Sequence, residues 1–251
     1  MSNIRNAFKN GKAVIPFITC GDPDLATTGT IIRAMADAGA DLIELGIPFS
    51  DPTAEGPVVQ SASIRALAGG VTTDKIFDFV RELRRDVTVP IIVMTYANVV
   101  FSYDIERFVS KCAEVGIDGV ILPDVPMEEK DEFVPICRSY GVDFISQIAP
   151  TSANRIAEIA KDAEGFIYIA SHSILENQTD LNELTAEIRK YTDIPCAIEC
   201  GDSNLEQTAM VQAADGVILN SAIVERIGRY GKDAVSVAGD FVQATKQTIN
   251  K

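Results

Sequence analysis

The sequence predicts an α/β protein with the (β/α)₈ TIM barrel fold, and three observations predict it. Eight short apolar runs recur along the chain, helical segments separate them, and 251 residues with 47% hydrophobic content can bury one large core. Most of the runs are continuously apolar, which is typical of parallel strands that are covered on both faces. We therefore expect a single barrel domain over residues 1–251, with an open doubly wound sheet as the structural alternative.

The order of the elements favours the closed barrel. Helical spacing lies between the apolar runs, and Gly39 and Gly116 stand where two of the helices would end before the next strand. The first run is followed by TCGDPD, which lacks the second and third glycines of a dinucleotide-binding turn. The predicted strands are AVIPFIT (13–19), DLIELG (41–46), PIIVMTY (90–96), GVILPD (119–124), DFISQIA (143–149), GFIYIA (165–170), PCAIE (195–199) and GVILN (216–220), and the clearest helical segments are 25–40, 72–86, 105–116 and 154–165.

Charge and cysteine content argue against several classes of function. The chain carries 36 acidic and 22 basic residues, for a net charge of −14, and its basic residues are scattered, so we expect no nucleic-acid partner. No apolar run approaches the roughly 18 residues of a membrane span and no signal-peptide pattern is present, so we expect no membrane association and a cytoplasmic location. The five cysteines fit no zinc pattern and are expected to be reduced, with Cys196 and Cys200 on one face of a strand.

The residues that end the strands are the first candidates for chemistry, because barrel enzymes place their sites at the carboxyl ends of the strands. Glu44 lies between Ile43 and Leu45 in an otherwise apolar run. Burial of an ionised carboxylate is costly, so such a residue serves a functional site or forms a pair with a base. From this strand alone, both interpretations of Glu44 remain open.

The segment after this strand, 47–57, contains three prolines and two acids. A proline-stiffened loop can hold Glu55 over the mouth of the barrel near Glu44. An exposed turn with solvated charges is the alternative.

Several of these segments together resemble one family. Residues 41–57, with PFITCGDPD (16–24), VMTYANVVF (93–101), GVILPDVPMEE (119–129) and IAPTS (148–152), are similar to the tryptophan synthase alpha subunit. The resemblance covers nearly the whole chain. Its most specific part is a glutamate at a strand end followed by PFSDP and then by Ala, an acid, Gly and Pro.

The resemblance implies a substrate and roles for several residues. The substrate would be indole-3-glycerol phosphate, which a retro-aldol reaction splits into indole and glyceraldehyde 3-phosphate without metal or organic cofactor. Glu44 would be the acid/base carboxylate, and Glu55 would stabilise the indole N–H as positive charge develops. Phe17, Tyr96 and Tyr168 would shape the indole pocket, although each is also an ordinary core aromatic.

The resemblance also implies a protein partner, a pyridoxal-phosphate beta subunit that receives the indole. The positions that match the contact surface are Pro48, Phe49, Asp51, Pro52, Asn98, Asp124 and Pro126.

The phosphate-binding rim departs from the family pattern. Where the family has Gly-Phe-Gly after the seventh strand and Gly-Ser after the eighth, this chain has Glu199 to Asp202 and Asn220-Ser221, so Gly201 and Ser221 are retained as substrate-binding positions. Two unit charges about 4 Å apart repel by roughly 4 kcal/mol in a surface cleft, or about a thousandfold in affinity. The sixth loop is shortened, with Glu176 near the position of the family's closing threonine. The altered rim comprises Gln147, His172, Glu199, Asp202 and Asn220.

Three hypotheses follow from these departures. The chain is a working alpha subunit with an unusual phosphate site; or a family scaffold, diverged or engineered, that acts on a non-phosphorylated substrate; or a non-catalytic activator of a beta subunit. In the second case Glu44, Glu199 or His172 would be the base, and His172 and Glu199 could meet across the mouth. As the only histidine of the chain, His172 also fits a structural role.

Overall fold

The computed structural model describes residues 3–149, 155–170, 181–200 and 212–250, and every one of the eight predicted strands is present. The fifth run forms two short strands that flank Ile145. The strands are β1 (Ala13–Thr19), β2 (Ile43–Gly46), β3 (Ile91–Met94), β4 (Gly119–Ile121), β5 (Asp143–Phe144), β6 (Ser146–Ile148), β7 (Ile167–Ile169), β8 (Cys196–Cys200) and β9 (Gly216–Leu219).

These strands form one parallel sheet that closes on itself. The nine-stranded order is β5-β4-β3-β2-β1-β9-β8-β7-β6, and only Ile145 separates the two strands at its ends. The Ile145 N–H donates to the Val120 carbonyl at 2.9 Å, so the chain passes directly from its bonds with β4 to its bonds with β7. The prediction of a (β/α)₈ barrel is confirmed, and the open sheet is excluded.

In the described ranges, helices connect the strands from β1 to β5 and from β6 to β8, as the spacing predicts. Gly116 ends the helix before β4 in the left-handed region at φ 85°, and Gly39 has φ 98°. The predicted helix over 154–165 is shorter than expected, since it ends at Lys161. No helix of the described ranges is long and apolar enough to cross a membrane. The helices are α1 (Leu25–Asp37), α2 (Pro57–Ala68), α3 (Thr73–Leu83), α4 (Ala97–Tyr103), α5 (Ile105–Val115), α6 (Val134–Tyr140), α7 (Ile156–Lys161), α8 (Leu181–Arg189), α9 (Ser221–Tyr230) and α10 (Ala234–Ile249).

Two apolar layers define the inside and outside of the barrel wall. The inner cluster includes Ile15, Phe17, Ile92, Tyr168 and Ile218. The outer cluster packs the helices against the strands and contains Val14, Ile18, Ile43, Leu45, Ile198 and Leu219. Because side chains of a strand alternate between its faces, residues flanked by outer positions point into the barrel.

The cysteines follow this division of the wall. Cys196 belongs to the outer cluster and Cys200 packs against it, as expected for residues four apart on a strand. All five thiols are free.

Candidate active site

Among the strand-end carboxylates that the structure describes, Glu44 is the most deeply buried. It lies on β2 between the outward-facing Ile43 and Leu45, so its side chain enters the barrel. Glu44 is 0% exposed, and neither carboxylate oxygen has a hydrogen-bond partner within the described ranges. Burial raises the pKa of Glu44 well above its ordinary value, and the charges of Glu199 and Glu55 raise it further. The structure therefore gives no support to pairing of Glu44 with a base.

The loop between β2 and α2 brings Glu55 to this carboxylate. The backbone N–H of Ala54 donates to the Tyr96 hydroxyl at 3.0 Å, and the Gln60 side-chain amide donates to the Glu55 carbonyl at 2.8 Å. Phe49 packs on the Tyr96 ring with 5.2 Å between centroids. These contacts fix the loop on both sides of Glu55, which is half-buried rather than solvated as an exposed turn would be.

The electrostatics of Glu55 differ from those of an ordinary surface acid. Burial raises the pKa of Glu55 to about 7. Glu55 in turn raises the pKa of Tyr96, after the larger effect of burial of that phenol. The structure thus places Glu55, Glu44 and Tyr96 in one electrostatically coupled group.

Two aromatic side chains line the interior beside Glu44. Phe17 is the register partner of Glu44 on β1 and is 1% exposed. A Cβ on Gly46 would lie only 2.6 Å from Phe17 Cζ, so this glycine makes room for the ring. Tyr168 is buried on β7, and its pKa is raised by burial and then by Glu199, Glu44 and Glu55.

The far side of the mouth carries a polar pair. Asn220 Nδ2 donates to Glu199 Oε1 at 3.0 Å, and each residue is 8% exposed. Glu199 is the last residue of β8 whose side chain points into the barrel, and Asn220 immediately precedes α9. Gln147 is the register partner of Tyr168 and is half-buried, and Ser221 is the first residue of α9.

Three of the predicted site residues, His172, Gly201 and Asp202, lie outside the described residues. The proposed contact between His172 and Glu199 is therefore not tested by this structure.

Comparisons with known proteins agree with one another. A sequence model of the family described as "Tryptophan synthase alpha chain" matches residues 4–250. The chain belongs to the tryptophan synthase alpha chain family. An alpha chain of Lacticaseibacillus casei is 43% identical, over 100% of this chain and 96% of that protein. One from Alkaliphilus metalliredigens is 44% identical, over 92% of this chain and 90% of that protein.

Solved structures of tryptophan synthase are also similar to this chain in three dimensions. The tryptophan synthase subunit alpha of Legionella pneumophila str. Paris matches with a TM-score of 0.88 and 33% identity, over 99% of this chain and 98% of that one. A chain of the tryptophan synthase a2b2 complex from Pyrococcus furiosus matches with a TM-score of 0.85 and 30% identity, over 94% of this chain and 99% of that one. The function expected from the sequence, that of a carbon–carbon lyase of the tryptophan synthase alpha type, is thereby supported at the level of the family.

The tertiary structure gives surroundings to Thr19, one of the strand-end candidates, and adds Gly46 to the site of this alpha chain, a residue that the sequence did not single out. The Thr19 hydroxyl at the end of β1 is buried without a hydrogen-bond partner in the described ranges, and Gly46 accommodates Phe17. A glycine in the last position of a buried strand is a signal for such close approach. In the described part of the chain, no group of three or more His, Cys, Asp or Glu side chains is arranged to hold a metal ion.

We expect the raised pKa of Glu55 to make the stability of this alpha chain fall as the pH rises. The folded chain keeps the proton up to about pH 7, whereas the unfolded chain releases it near its ordinary pKa of 4.5. The folded state binds more protons between these values, so the free energy of unfolding decreases across this window. Glu55→Gln should remove on the order of 1 to 3 kcal/mol of this decrease, since one pKa unit is about 1.4 kcal/mol.

Urea denaturation at about pH 5 and about pH 8 measures this effect. Glu129→Gln, which changes an exposed acid, is the matched control and should leave the pH dependence unchanged. An identical pH dependence in the parent and in Glu55→Gln would mean that Glu55 is solvated.

Proposed function

We propose that this alpha chain cleaves indole-3-glycerol phosphate to indole and glyceraldehyde 3-phosphate, with Glu44 as its acid/base. The observation that carries the proposal is the fully buried Glu44 carboxyl, which has no hydrogen-bond partner within the described ranges and a strongly raised pKa. A buried carboxyl group with a raised pKa favours its protonated form and has unused hydrogen-bonding capacity for a ligand. Because the chain belongs to the tryptophan synthase alpha chain family, we propose that the Glu44 carboxyl group serves the reaction of that family.

Glu44 would donate one proton to the substrate and accept one proton from it during the reaction. Its neutral form donates a proton to the indole carbon that bears the glycerol chain. The resulting carboxylate accepts the proton of the adjacent hydroxyl while the carbon–carbon bond breaks and the aldehyde forms. Glu44 ends the cycle protonated, so the proton balance closes within one residue and the site needs no second base.

Glu55 and the aromatic residues would supply the remaining parts of this site. Protonation of the indole carbon develops positive charge on the ring nitrogen, and the Glu55 carboxylate would stabilise that charge. Phe17 and Tyr168 lie in the inner cluster beside Glu44, and Tyr96 lies under the loop that carries Glu55. A flat apolar ring fits among these side chains better than a charged group does.

We also propose that the chain assembles with a tryptophan synthase beta subunit and works in the cytoplasm. The support for the assembly is the similarity to a chain of the Pyrococcus furiosus a2b2 complex. Phe49 and Asp124 hold the loops that match the contact surface, Phe49 through Tyr96 and Asp124 by accepting the Ala97 N–H at 3.0 Å. The exposed Phe101 on α4, at 50%, adds apolar surface beside these loops.

The release of indole from indole-3-glycerol phosphate tests the proposed function. The purified chain, alone and with a tryptophan synthase beta subunit, should form indole and aldehyde in equal amounts. Glu55→Gln should lower the rate roughly 10²-fold, because the carboxylate that faces the developing charge becomes a neutral amide. Absence of indole in both settings would exclude the lyase function, and full activity of Glu55→Gln would leave Glu55 as a loop residue.

A further inference from the structure

The end of β1 places a buried hydroxyl group at the mouth of the barrel, and the proposed mechanism does not use it. Thr19 follows Phe17 by two positions, so its side chain points into the barrel, as those of the inner cluster do. Thr19 is 2% exposed, and its hydroxyl oxygen has no hydrogen-bond partner within the described ranges. A buried hydroxyl of this kind costs stability unless a ligand or solvent satisfies it.

Hydrogen bonds hold the backbone around Thr19 in place. The Thr19 carbonyl accepts the Asp22 N–H at 3.2 Å, and the next residue, Cys20, donates its N–H to the Gly46 carbonyl at 2.8 Å. The Asp22 carboxylate in turn accepts two hydrogen bonds from Arg65. The hydroxyl is therefore presented from a fixed segment, which is what a residue that orients a ligand requires.

Glu44 lies on the neighbouring strand, one inward position further from the mouth than Thr19. Glu44 is the register partner of Phe17, and Gly46 is the register partner of Thr19. A strand spacing of about 4.8 Å and a rise of about 3.3 Å per residue put the Thr19 and Glu44 Cα atoms about 8 Å apart. The two side chains do not bond each other, since none of their oxygens has a partner among the described residues. One small polar group of a ligand can therefore reach both.

The Phe17 ring indicates which part of the substrate reaches Thr19. A Cβ on Gly46 would lie 2.6 Å from Phe17 Cζ, so the ring extends from β1 across Gly46. The edge of the ring thus lies in the same layer of the barrel as Thr19. An indole ring that packs against Phe17 brings the first carbon of its tail to this layer. The hydroxyl on that carbon is the one next to the bond that breaks.

We propose that Thr19 binds the substrate through this tail hydroxyl and orients it for proton transfer to Glu44. The inference rests on the proposed function for the reaction and for the position of the indole ring. The Thr19 hydroxyl donates a hydrogen bond to the oxygen that becomes the aldehyde oxygen while its proton passes to Glu44. Thr19 keeps its own proton, so the proton balance of the cleavage is unchanged.

Thr19→Val removes the hydroxyl with little change of shape and tests the inference in steady-state kinetics with indole-3-glycerol phosphate. The kcat/KM of indole release should fall about tenfold or more, because a hydrogen bond to an oxygen that becomes more negative is lost. Thr19→Ser keeps the hydroxyl and should stay within about threefold of the parent. Thr19→Val should be at least as stable as the parent in urea, because a buried hydroxyl without a partner is gone.

Thr95→Val is the matched control. Thr95 is 1% exposed, and its hydroxyl also lacks a partner within the described ranges. It follows the inward-facing Met94, and its N–H donates to the Ile121 carbonyl at 3.1 Å, so its side chain points away from the barrel interior. The control should leave indole release unchanged. Equal losses of rate in the two valine variants, or a Thr19→Val chain less stable than the parent, would overturn the inference.

Binding to the Glu44→Gln chain, in which the substrate stays intact, separates this inference from the proposed function. Addition of Thr19→Val should weaken binding of indole-3-glycerol phosphate about fivefold or more in calorimetry. The affinity for indole, which lacks the tail, should not change.

The two failures give different results. A parent that releases indole at a rate that Thr19→Val does not alter overturns the inference about Thr19 alone. A parent that releases no indole overturns the proposed function, and the titrations then decide the role of Thr19. Equal affinity for the phosphate ester with and without Thr19→Val, or no binding of that ester, would overturn the inference as well.

Discussion

Glu44→Gln is expected to lower the rate of indole release by roughly 10²- to 10⁴-fold while the barrel stays folded, the range associated with loss of a general acid–base group. The amide has the size of the carboxylic acid but cannot donate and take back the proton. The loss should appear in kcat, since the same group acts on both proton transfers of the bond cleavage. Steady-state kinetics with indole-3-glycerol phosphate measure the change.

Stability separates a catalytic effect from a structural one. Burial and two nearby carboxylates raise the pKa of Glu44 well above its ordinary value, so the folded state favours the neutral form more than the unfolded state does. The glutamine variant should therefore unfold at the same urea concentration as the parent, or at a higher one as the pH rises. Glu82→Gln changes an exposed acid on α3 and should affect neither the rate nor the stability. An unchanged rate in Glu44→Gln would exclude Glu44 as the acid/base.

Arg65→Met is expected to lower the free energy of unfolding by about 2 to 4 kcal/mol, because it leaves a buried carboxylate without its cation. Arg65 on α2 donates to both oxygens of Asp22 in the loop after β1, through Nε at 2.8 Å and Nη2 at 2.7 Å. The Asp22 side chain is only 2% exposed. Methionine keeps the aliphatic stem of the arginine, so the loss reports mainly on the ion pair.

Arg33→Met is the matched control for this prediction. Arg33 contacts Asp86 at 2.7 Å with similar exposure of the arginine, 42%, but the Asp86 side chain is 55% exposed. Its replacement should cost at most about 1 kcal/mol. Addition of Asp22→Asn to Arg65→Met should restore part of the stability, because the buried charge is then gone. If the double variant is as unstable as Arg65→Met, the arginine contributes packing against α9, where Gly228 makes room for it, rather than charge.

The fold was predictable because its signal is local and repeated. Each apolar run identifies a strand by itself, and the helical segments between them require parallel connections. The fifth run was the exception, since DFISQIA forms two short strands around Ile145. The residues before Ile145 pair with β4, and the residues after it pair with β7. This change of partner results from closure of the sheet, so the segment's own residues do not predict it.

The candidate site was predictable in part. A glutamate in an apolar strand stands out because burial of charge is costly, so Glu44 could be found from its neighbours alone. The sequence could not decide whether Glu44 pairs with a base, because that depends on residues far away in the chain. The role of Gly46 was also not predictable from the sequence. Only the position of Phe17 on the adjacent strand shows why a side chain at residue 46 is excluded.

By itself the sequence determined the strand and helix pattern, the family, and the identity of the carboxylates that end the strands. Tertiary structure alone decided their surroundings: the burial of the Glu44 oxygens without a hydrogen-bond partner among the described residues, the attachment of the Glu55 loop to Tyr96, and the bond between Asn220 and Glu199. The physical reason is the distance along the chain over which the relevant interactions act. Strand and helix preferences arise from neighbouring residues, whereas burial, dielectric environment and hydrogen-bond partners arise when closure of the barrel brings distant strand ends into one small volume.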